Sequence, residues 1–491
     1  MGGAERLVIE KMRFSGRLTR RDFLRMSGAG LAGASLLGLA GCGEEASQGS
    51  SSGGMWKQYK GMTLNFISEN TAPTSAIAAN LKPFKDLTGI DVKISQLELG
   101  SLVQKVSLDV SSGDPTIHVI YADPYQVMAP FAAALADLND FNEDDSLPSV
   151  PKGLGDFIPT QLAAAGRFAD EEALYALPYD APTMIWMYRK DLFDKYGDQM
   201  SQDLGFDPTP SEKITWAQYY DTAKWFNDNA SEVEYGTGQQ AKQYDSLMCD
   251  FSNVLWAHGG DYFENGEQVG KIGTENPGPA ALDQAKAIEA AEFYKKLNEI
   301  SHPGSTSWDW TALDEAFRAG ELAMVPNWHE FAAGVEASKL GGKVGYERLP
   351  TGPARSASMW GGTGLGINGE LSEDEQRAAW LFLVWATSPE TQLSGLKSEV
   401  GGGTPTRQSV YQKPEVQKAQ QRPSDMPNIL TYEAVSKAWE PENIGLRPKI
   451  EEWNKCDTVI FTELSKMLAG DKSPDQAMQD AKEGFDRANG V

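Results

Sequence analysis

Cysteine and histidine are nearly absent from this 491-residue chain, with three of one and four of the other. Three cysteines, Cys42, Cys249 and Cys456, are too few for a disulfide scaffold. His118, His258, His302 and His329 include no pair at helical metal-ligand spacing, and Trp328-His329-Glu330 lacks the second histidine of H-E-x-x-H. No motif therefore calls for a metal or other cofactor. No Ser/His/Asp or Cys/His arrangement has supporting context either. Basic side chains are scarce: 44 Lys+Arg stand against 69 Asp+Glu, a net charge of −25. Nucleic-acid binding needs a basic face, so DNA and RNA are excluded as partners. No repeat of 20–50 residues is visible. Gly361-Gly362-Thr363-Gly364-Leu365-Gly366 lacks the spacing of G-x-G-x-x-G and the Lys of a Walker loop. A strand needing close backbone approach explains those glycines better.

What is there begins at the N-terminus. Thr19-Arg20-Arg21-Asp22-Phe23-Leu24-Arg25 precedes a short apolar run over 26–40 that ends in Leu39-Ala40-Gly41-Cys42. Basic, apolar and small-residue regions in that order are the anatomy of an export signal. The adjacent arginines resemble the twin-arginine signal, and the last four residues resemble a lipobox whose cysteine is acylated. The apolar run holds 15 residues including four glycines, short of the roughly 20 needed to span a bilayer. The expectation is a signal peptide over 1–41 and a lipid anchor on Cys42. A Ser/Gly-rich linker then runs to 61, and the body lies outside the cytoplasm. With Cys42 modified, Cys249 and Cys456 are either one disulfide or two buried free thiols.

The body is long enough for two to three domains. Alternation over 62–67 predicts a strand, followed by one helix over 76–87 capped by Gly89, then a strand over 91–94. A helix over 101–111 leads to an apolar strand over 117–121, which is an α/β unit with a mostly parallel sheet. Another apolar strand is predicted over 184–188, and helices over 216–227, 279–297, 312–319 and 372–387. The segment 457–489 reads as two helices broken at Gly470-Asp471. The acidic run 139–145 lacks the glycine and terminal Glu of an EF-hand and reads as a solvated turn.

Several stretches in order carry a resemblance. They are Leu87-Thr88-Gly89-Ile90-Asp91-Val92, Tyr175-Ala176-Leu177-Pro178-Tyr179-Asp180 and Tyr188-Arg189-Lys190-Asp191-Leu192-Phe193. Then come Trp256-Ala257-His258-Gly259-Gly260-Asp261, Ala316-Phe317-Arg318-Ala319-Gly320-Glu321, Asn327-Trp328 and Gly402-Gly403-Thr404-Pro405-Thr406-Arg407. Together they resemble the maltose-binding-protein-like family of extracellular sugar-binding proteins that serve ABC importers. The resemblance implies a two-lobed α/β fold of the periplasmic-binding-protein type II, with hinge crossings and a ligand cleft between the lobes. Projected here, the first lobe takes 62–180 plus about 363–409, and the second 181–358 plus about 410–491. It further implies a non-enzymatic, monomeric receptor for a saccharide or polyol, delivering to permease subunits driven by a cytoplasmic ATPase. The alternative is a lipid-anchored glycoside hydrolase, which would also need aromatics and paired carboxylates.

Sugars present apolar faces to aromatic rings and hydroxyls to Asp, Glu, Asn and Arg. Ligands in α/β folds sit at the carboxyl ends of strands. The expected ligand residues are Glu69, Asn70, Asp123, Tyr179, Asp180, Trp256, Trp308, Asp309, Trp328, Trp360 and Arg407, with Tyr125, Asp261 and Trp310 beside them. Trp328, where the family places a stacking aromatic, is the leading choice. Trp256, Trp308 and Trp310 read equally as core, and Asp309 equally as a helix N-cap. Trp216, Trp225, Trp380 and Trp385 recur at helical spacing and read as packing residues.

Overall fold

The computed structural model describes residues 52–398 and 403–491; the expected export signal, Cys42 and most of the expected linker lie outside them. Strand β1 (Thr63–Glu69) pairs in parallel with β2 (Asp91–Leu97) along its whole length. Its other edge takes β3 (Val119–Ala122), again parallel and buried at every residue. Parallel neighbours need a crossover, and the helix Leu99–Ser111 supplies the one from β2 to β3. The first crossover differs from expectation. In place of one helix over 76–87 there are two, Ala72–Ala79 and Lys82–Thr88. Pro83 sits in the first turn of the second, where its missing N–H costs nothing but could not extend the first helix. Gly89, at φ 77°, closes the second helix as the expected cap.

After β4 (Ala176–Asp180) the chain passes directly into β5 (Met184–Arg189). With β6 (Tyr235–Thr237), β7 (Leu322–Trp328) and β8 (Val344–Glu347), β5 builds a second sheet in the order β6-β7-β5-β8. A short strand β9 (Ser358–Met359) precedes β10 (Thr363–Ile367), which returns to the first sheet between β3 and β4, antiparallel to both. That sheet then reads β2-β1-β3-β10-β4. Finally β11 (Ile444–Gly445) lies parallel to β9. The glycines of β10 serve close packing: a Cβ on Gly364 would stand 2.6 Å from the Ala176 Cβ and 2.9 Å from the Ala165 carbonyl.

Each sheet has its own hydrophobic core. Against the first packs the helix Glu373–Ala386, opened by a Ser372–Glu375 capping box. Phe382 meets Phe66 and Phe84 at centroid separations of 5.6 and 5.3 Å, and Trp385 meets Phe84 at 5.3 Å. The centre of the second core is the helix Asp245–Ala257, buried on all sides, which requires layers both above and below it. The helices Ala285–Ile300 and Trp453–Ala469 supply two of its neighbours. Gly470, at φ 85°, separates the last of these from Pro474–Asn489. Trp216, Trp225, Trp380 and Trp385 are buried, as their spacing implies. Cys249 and Cys456 are buried free thiols. In the acidic stretch, Asp144 accepts from Ser146 and pairs with Arg377 at 2.7 Å.

Arg407, expected at the ligand, lies wholly inside the first core. Its guanidinium donates to the carbonyls of Thr387 (2.9 Å), Pro151 (3.1 Å) and Gly153 (3.3 Å), and stacks over the Phe157 ring at 3.6 Å. Burial pulls its pKa down to about 10. It fastens the loops around 151–157 to the helix end at Thr387. Arg407→Ala strands those carbonyls, and equilibrium urea unfolding should register a loss of about 3–5 kcal/mol.

Candidate functional site

The carboxyl ends of β1, β3 and β4 lie side by side in the first sheet and carry Glu69, Tyr121 to Asp123, and Tyr179-Asp180. Glu69 ends β1 partly buried, its carboxylate accepting from the Tyr121 hydroxyl. Asp123 caps the turn that follows β3: its Oδ1 accepts from the Tyr125 and Gln126 amides at 2.9 and 2.7 Å. Its Oδ2 accepts from Arg447 Nη2 at 3.3 Å. Arg447 comes from the C-terminal part of the chain, lies 4.2 Å over the Tyr125 ring, and stands 3.7 Å from Asp245 Oδ1. Gln126 Nε2 donates to the same Asp245 oxygen at 3.0 Å. Asp457 approaches Asp245 within hydrogen-bonding reach.

One guanidinium thus serves several buried carboxyls, and the excess negative charge shows in their protonation. Burial, reinforced by the charges of Asp123 and Asp245, pushes the Glu69 pKa up to about 8. Burial likewise raises Asp245 and Asp457, which repel one another.

A second group gathers where β4 ends and where the turn after β7 begins. The Thr404 amide donates to Asp180 Oδ1 at 2.6 Å, and the Thr404 hydroxyl donates to Glu330 Oε1 at 2.6 Å. His329 Nε2 lies 2.7 Å from that hydroxyl, while its Nδ1 accepts from the Thr183 amide at 3.0 Å. Burial lowers the His329 pKa to about 4, so the ring is neutral. Asp180 and Glu330 lie within hydrogen-bonding reach of each other, and burial raises both. Tyr121 stands between the two groups: burial first, then Glu69, Asp180, Asp123 and Glu330 in turn, hold its hydroxyl protonated.

Aromatic rings complete the arrangement. Trp328 ends β7 half-buried, and a Cβ on Gly361 would meet its ring at 2.7 Å. Trp310 and Tyr244, both half-buried, lie 5.5 Å apart. Tyr244 is placed near Glu69 as well as Asp245, whose charges act on its hydroxyl after burial.

Of the residues expected from sequence, Glu69, Asp123, Asp180 and Trp328 fall in this arrangement, with Tyr179 behind Asp180. The others are placed elsewhere. Asn70 is exposed and pairs its amide with Leu97 O. Trp256 is buried under Gly445, its indole N–H directed to Asp261 at 3.4 Å. Trp308 stacks on His302 at 4.6 Å. Trp360 is fully buried, its ring against Gly362. Asp309 caps the helix Trp310–Arg318, accepting from the amides of Thr311 (3.2 Å) and Ala312 (3.1 Å), and pairs with Lys242 at 3.0 Å. Each of these has a packing or capping reason to be where it is. The sequence reading missed Tyr121, Tyr244, Asp245, Glu330 and Thr404. Only Tyr121, two residues before Asp123 on a strand, and Glu330, two after Trp328, left a positional signal. For Asp309→Ala, loss of the cap should lower stability by about 1 kcal/mol in urea unfolding.

Comparison with known proteins bears on family and fold. Residues 68–393 match the family model for bacterial extracellular solute-binding proteins. A probable amino-acid ABC transporter periplasmic-binding protein of Sinorhizobium fredii is 24% identical over 445 residues, covering 88% of this chain and 91% of its own. The erythritol/L-threitol-binding protein of Mycolicibacterium smegmatis is 25% identical, covering 80% of this chain and 82% of its own. Among solved structures, an ABC transporter solute-binding protein of Agrobacterium radiobacter in complex with ribitol superposes at TM-score 0.71. It has 24% identity, with 87% of this chain and 98% of that one covered. The fold is thus the two-lobed α/β architecture of periplasmic binding proteins, each sheet the centre of one lobe. The chain belongs to the bacterial extracellular solute-binding protein family.

Proposed function

We propose that this protein is the substrate-binding lipoprotein of an ABC importer. It captures a polyol or small saccharide by closing its lobes and hands it to a membrane permease. The observation that carries the reading is the half-buried Trp328 ring together with carboxylates and a tyrosine at the ends of β1, β3 and β4. A flat ring covers the apolar face of a polyhydroxy ligand, while carboxylates accept from adjacent hydroxyls. Two relatives support the choice of ligand class: one is named for erythritol and L-threitol, and one was solved with ribitol. In this reading the first lobe comprises 62–180 with about 363–409, and the second the rest of the body. Acylated Cys42 holds the receptor at its membrane through the Ser/Gly-rich linker. An anchored receptor meets the permease at high effective concentration.

The hydrolase alternative is opposed by geometry. A retaining glycosidase holds its two carboxyls about 5–5.5 Å apart and an inverting one wider still. Asp180 and Glu330 instead lie within hydrogen-bonding reach of each other, closer than either spacing.

The test is a thermal-shift screen over polyols, sugars and glycerophosphodiesters, followed by calorimetry on each hit. Recovery of intact ligand is expected; release of reducing ends would point to the hydrolase. Trp328→Ala should weaken binding at least tenfold and leave the ligand-free melting temperature within about 2 °C of wild type. A large drop in melting temperature with unchanged affinity would remove Trp328 from the site.

A further inference from the structure

The contact between Asp180 and Glu330 joins the two lobes. Asp180 ends β4 of the first sheet. The segment carrying Thr404 is tied to the same side: Thr406 Oγ1 donates to Pro178 O at 2.9 Å, and the Ile158 amide donates to Thr406 O at 2.9 Å. Glu330 follows β7 of the second sheet. Among the described residues the donors nearby are few: the Ala181 amide reaches the Asp180 carboxylate, and the Thr404 amide reaches Glu330 as well as Asp180. The Thr183 carbonyl takes the His329 amide at 3.0 Å, and the Thr183 amide takes the ring Nδ1. His329 Nδ1 also lies 3.2 Å from the Thr183 carbonyl, and Nε2 stands 2.7 Å from Thr404 Oγ1. That hydroxyl spends its single proton on Glu330 Oε1, and the Thr404 amide goes to Asp180 Oδ1. Asp180 Oδ2, buried, is left facing Glu330 with no donor. The remaining groups that face the pair are the hydroxyls of Tyr121, Tyr179 and Tyr411, beyond which lie Glu69 and Asp123. Among the described residues neither carboxylate forms a salt bridge with Lys, Arg or His.

Two bare carboxylates cannot share such a site; a proton must lie between them. We propose that Asp180 and Glu330 share one proton across the hinge, so that lobe closure over the ligand takes up a proton from solvent and capture tightens as pH falls. The inference rests on the reading of the cleft as one that closes on a polyhydroxy ligand. The sign follows from the weakened acidity of both carboxyls in the closed contact. With the lobes apart, water reaches both groups and each returns to the ordinary carboxylate range near pH 4. Below that range both states are protonated and pH has no effect. Above it the open form has lost both protons and the closed form keeps one. Closure therefore weakens with rising pH until the shared proton is lost, by up to about tenfold per pH unit for one proton.

The experiment is titration calorimetry of ribitol, erythritol and D-mannitol in buffers of different ionisation enthalpy, with ligand-free small-angle scattering from pH 5 to 8. Uptake approaching one proton is expected at pH 7, with affinity falling about tenfold per unit between pH 6 and 8. Glu330→Gln keeps the acceptor for Thr404 and gives Asp180 a permanent donor. It should abolish proton uptake and flatten the profile at the acid-side affinity. Asp180→Asn makes the same exchange from the other side if the first variant fails to fold. Polyol binding without proton uptake, or a slope that persists unchanged in Glu330→Gln, overturns the proposal and leaves the ligand reading standing. No polyol binding, but a scattering profile that opens with pH in wild type and not in Glu330→Gln, supports the shared proton and overturns the ligand reading.

Discussion

Everything at the site depends on how the two crossing segments lie together. β10 enters the first sheet antiparallel to β4, which places Thr363 opposite Asp180. Just beyond, Thr183 bridges Trp360, and the Gly361 amide donates to Pro182 O at 2.8 Å. The outgoing and returning chains are thus hydrogen-bonded side by side where they pass between the sheets. A paired ribbon can bend and twist but cannot slide, so the lobes are restricted to rotation about a short axis. The glycines make the pairing feasible, since Gly361 and Gly362 carry the rings of Trp328 and Trp360 where any side chain would collide. That one contact seats the Trp328 ring against the crossing segments.

The same economy governs charge. Several carboxyls are buried near one guanidinium, and each isolated charge taken from water is costly. Here three devices keep the cost down. Arg447 lies between Asp123 and Asp245. Two backbone amides at a turn donate to Asp123, so no second cation is needed there. Protons neutralise the rest, at Glu69 and between the paired acids. A site assembled this way is poised between charge states, and small displacements of the lobes change which state is favoured.

Elements with strong local signals were legible in the sequence. The capping box at Ser372, the αL glycines at Gly89 and Gly470, and the buried run of β5 are each decided within a few residues. The helix broken at Pro83 shows the limit: Phe84 and the residues around it keep an apolar spacing across the break, and periodicity alone hides it. The cleft was half legible. Glu69, Asp123, Asp180 and Trp328 follow from one rule, that ligands lie at strand ends. Trp308, Trp256 and Arg407 satisfy the same chemistry, yet His302, Gly445 and three loop carbonyls claim them. Asp245 was out of reach for the opposite reason. It lies 122 positions from Asp123 in a 491-residue chain, and only tertiary packing, with Arg447 between the two, brings them together.

The charge arrangement also bears on what the cleft admits. A free arginine at the floor of a binding site is the natural partner for phosphate or carboxylate, with two parallel donors for two oxygens. Arg447 is not free in that sense, since Asp123 and Asp245 flank it and Tyr125 covers one face. An anionic ligand would have to compete with two carboxylates already in place and then approach Glu69, Asp180 and Glu330. Coulomb repulsion in a closed, water-poor cleft is several-fold stronger than in bulk water. A neutral polyol meets no such barrier. Its hydroxyls donate to ionised carboxylates, accept from protonated ones, and tolerate either state as the lobes close. The acidity that excludes nucleic acid from the whole surface thus works again at the site, where it favours uncharged ligands rich in hydroxyls.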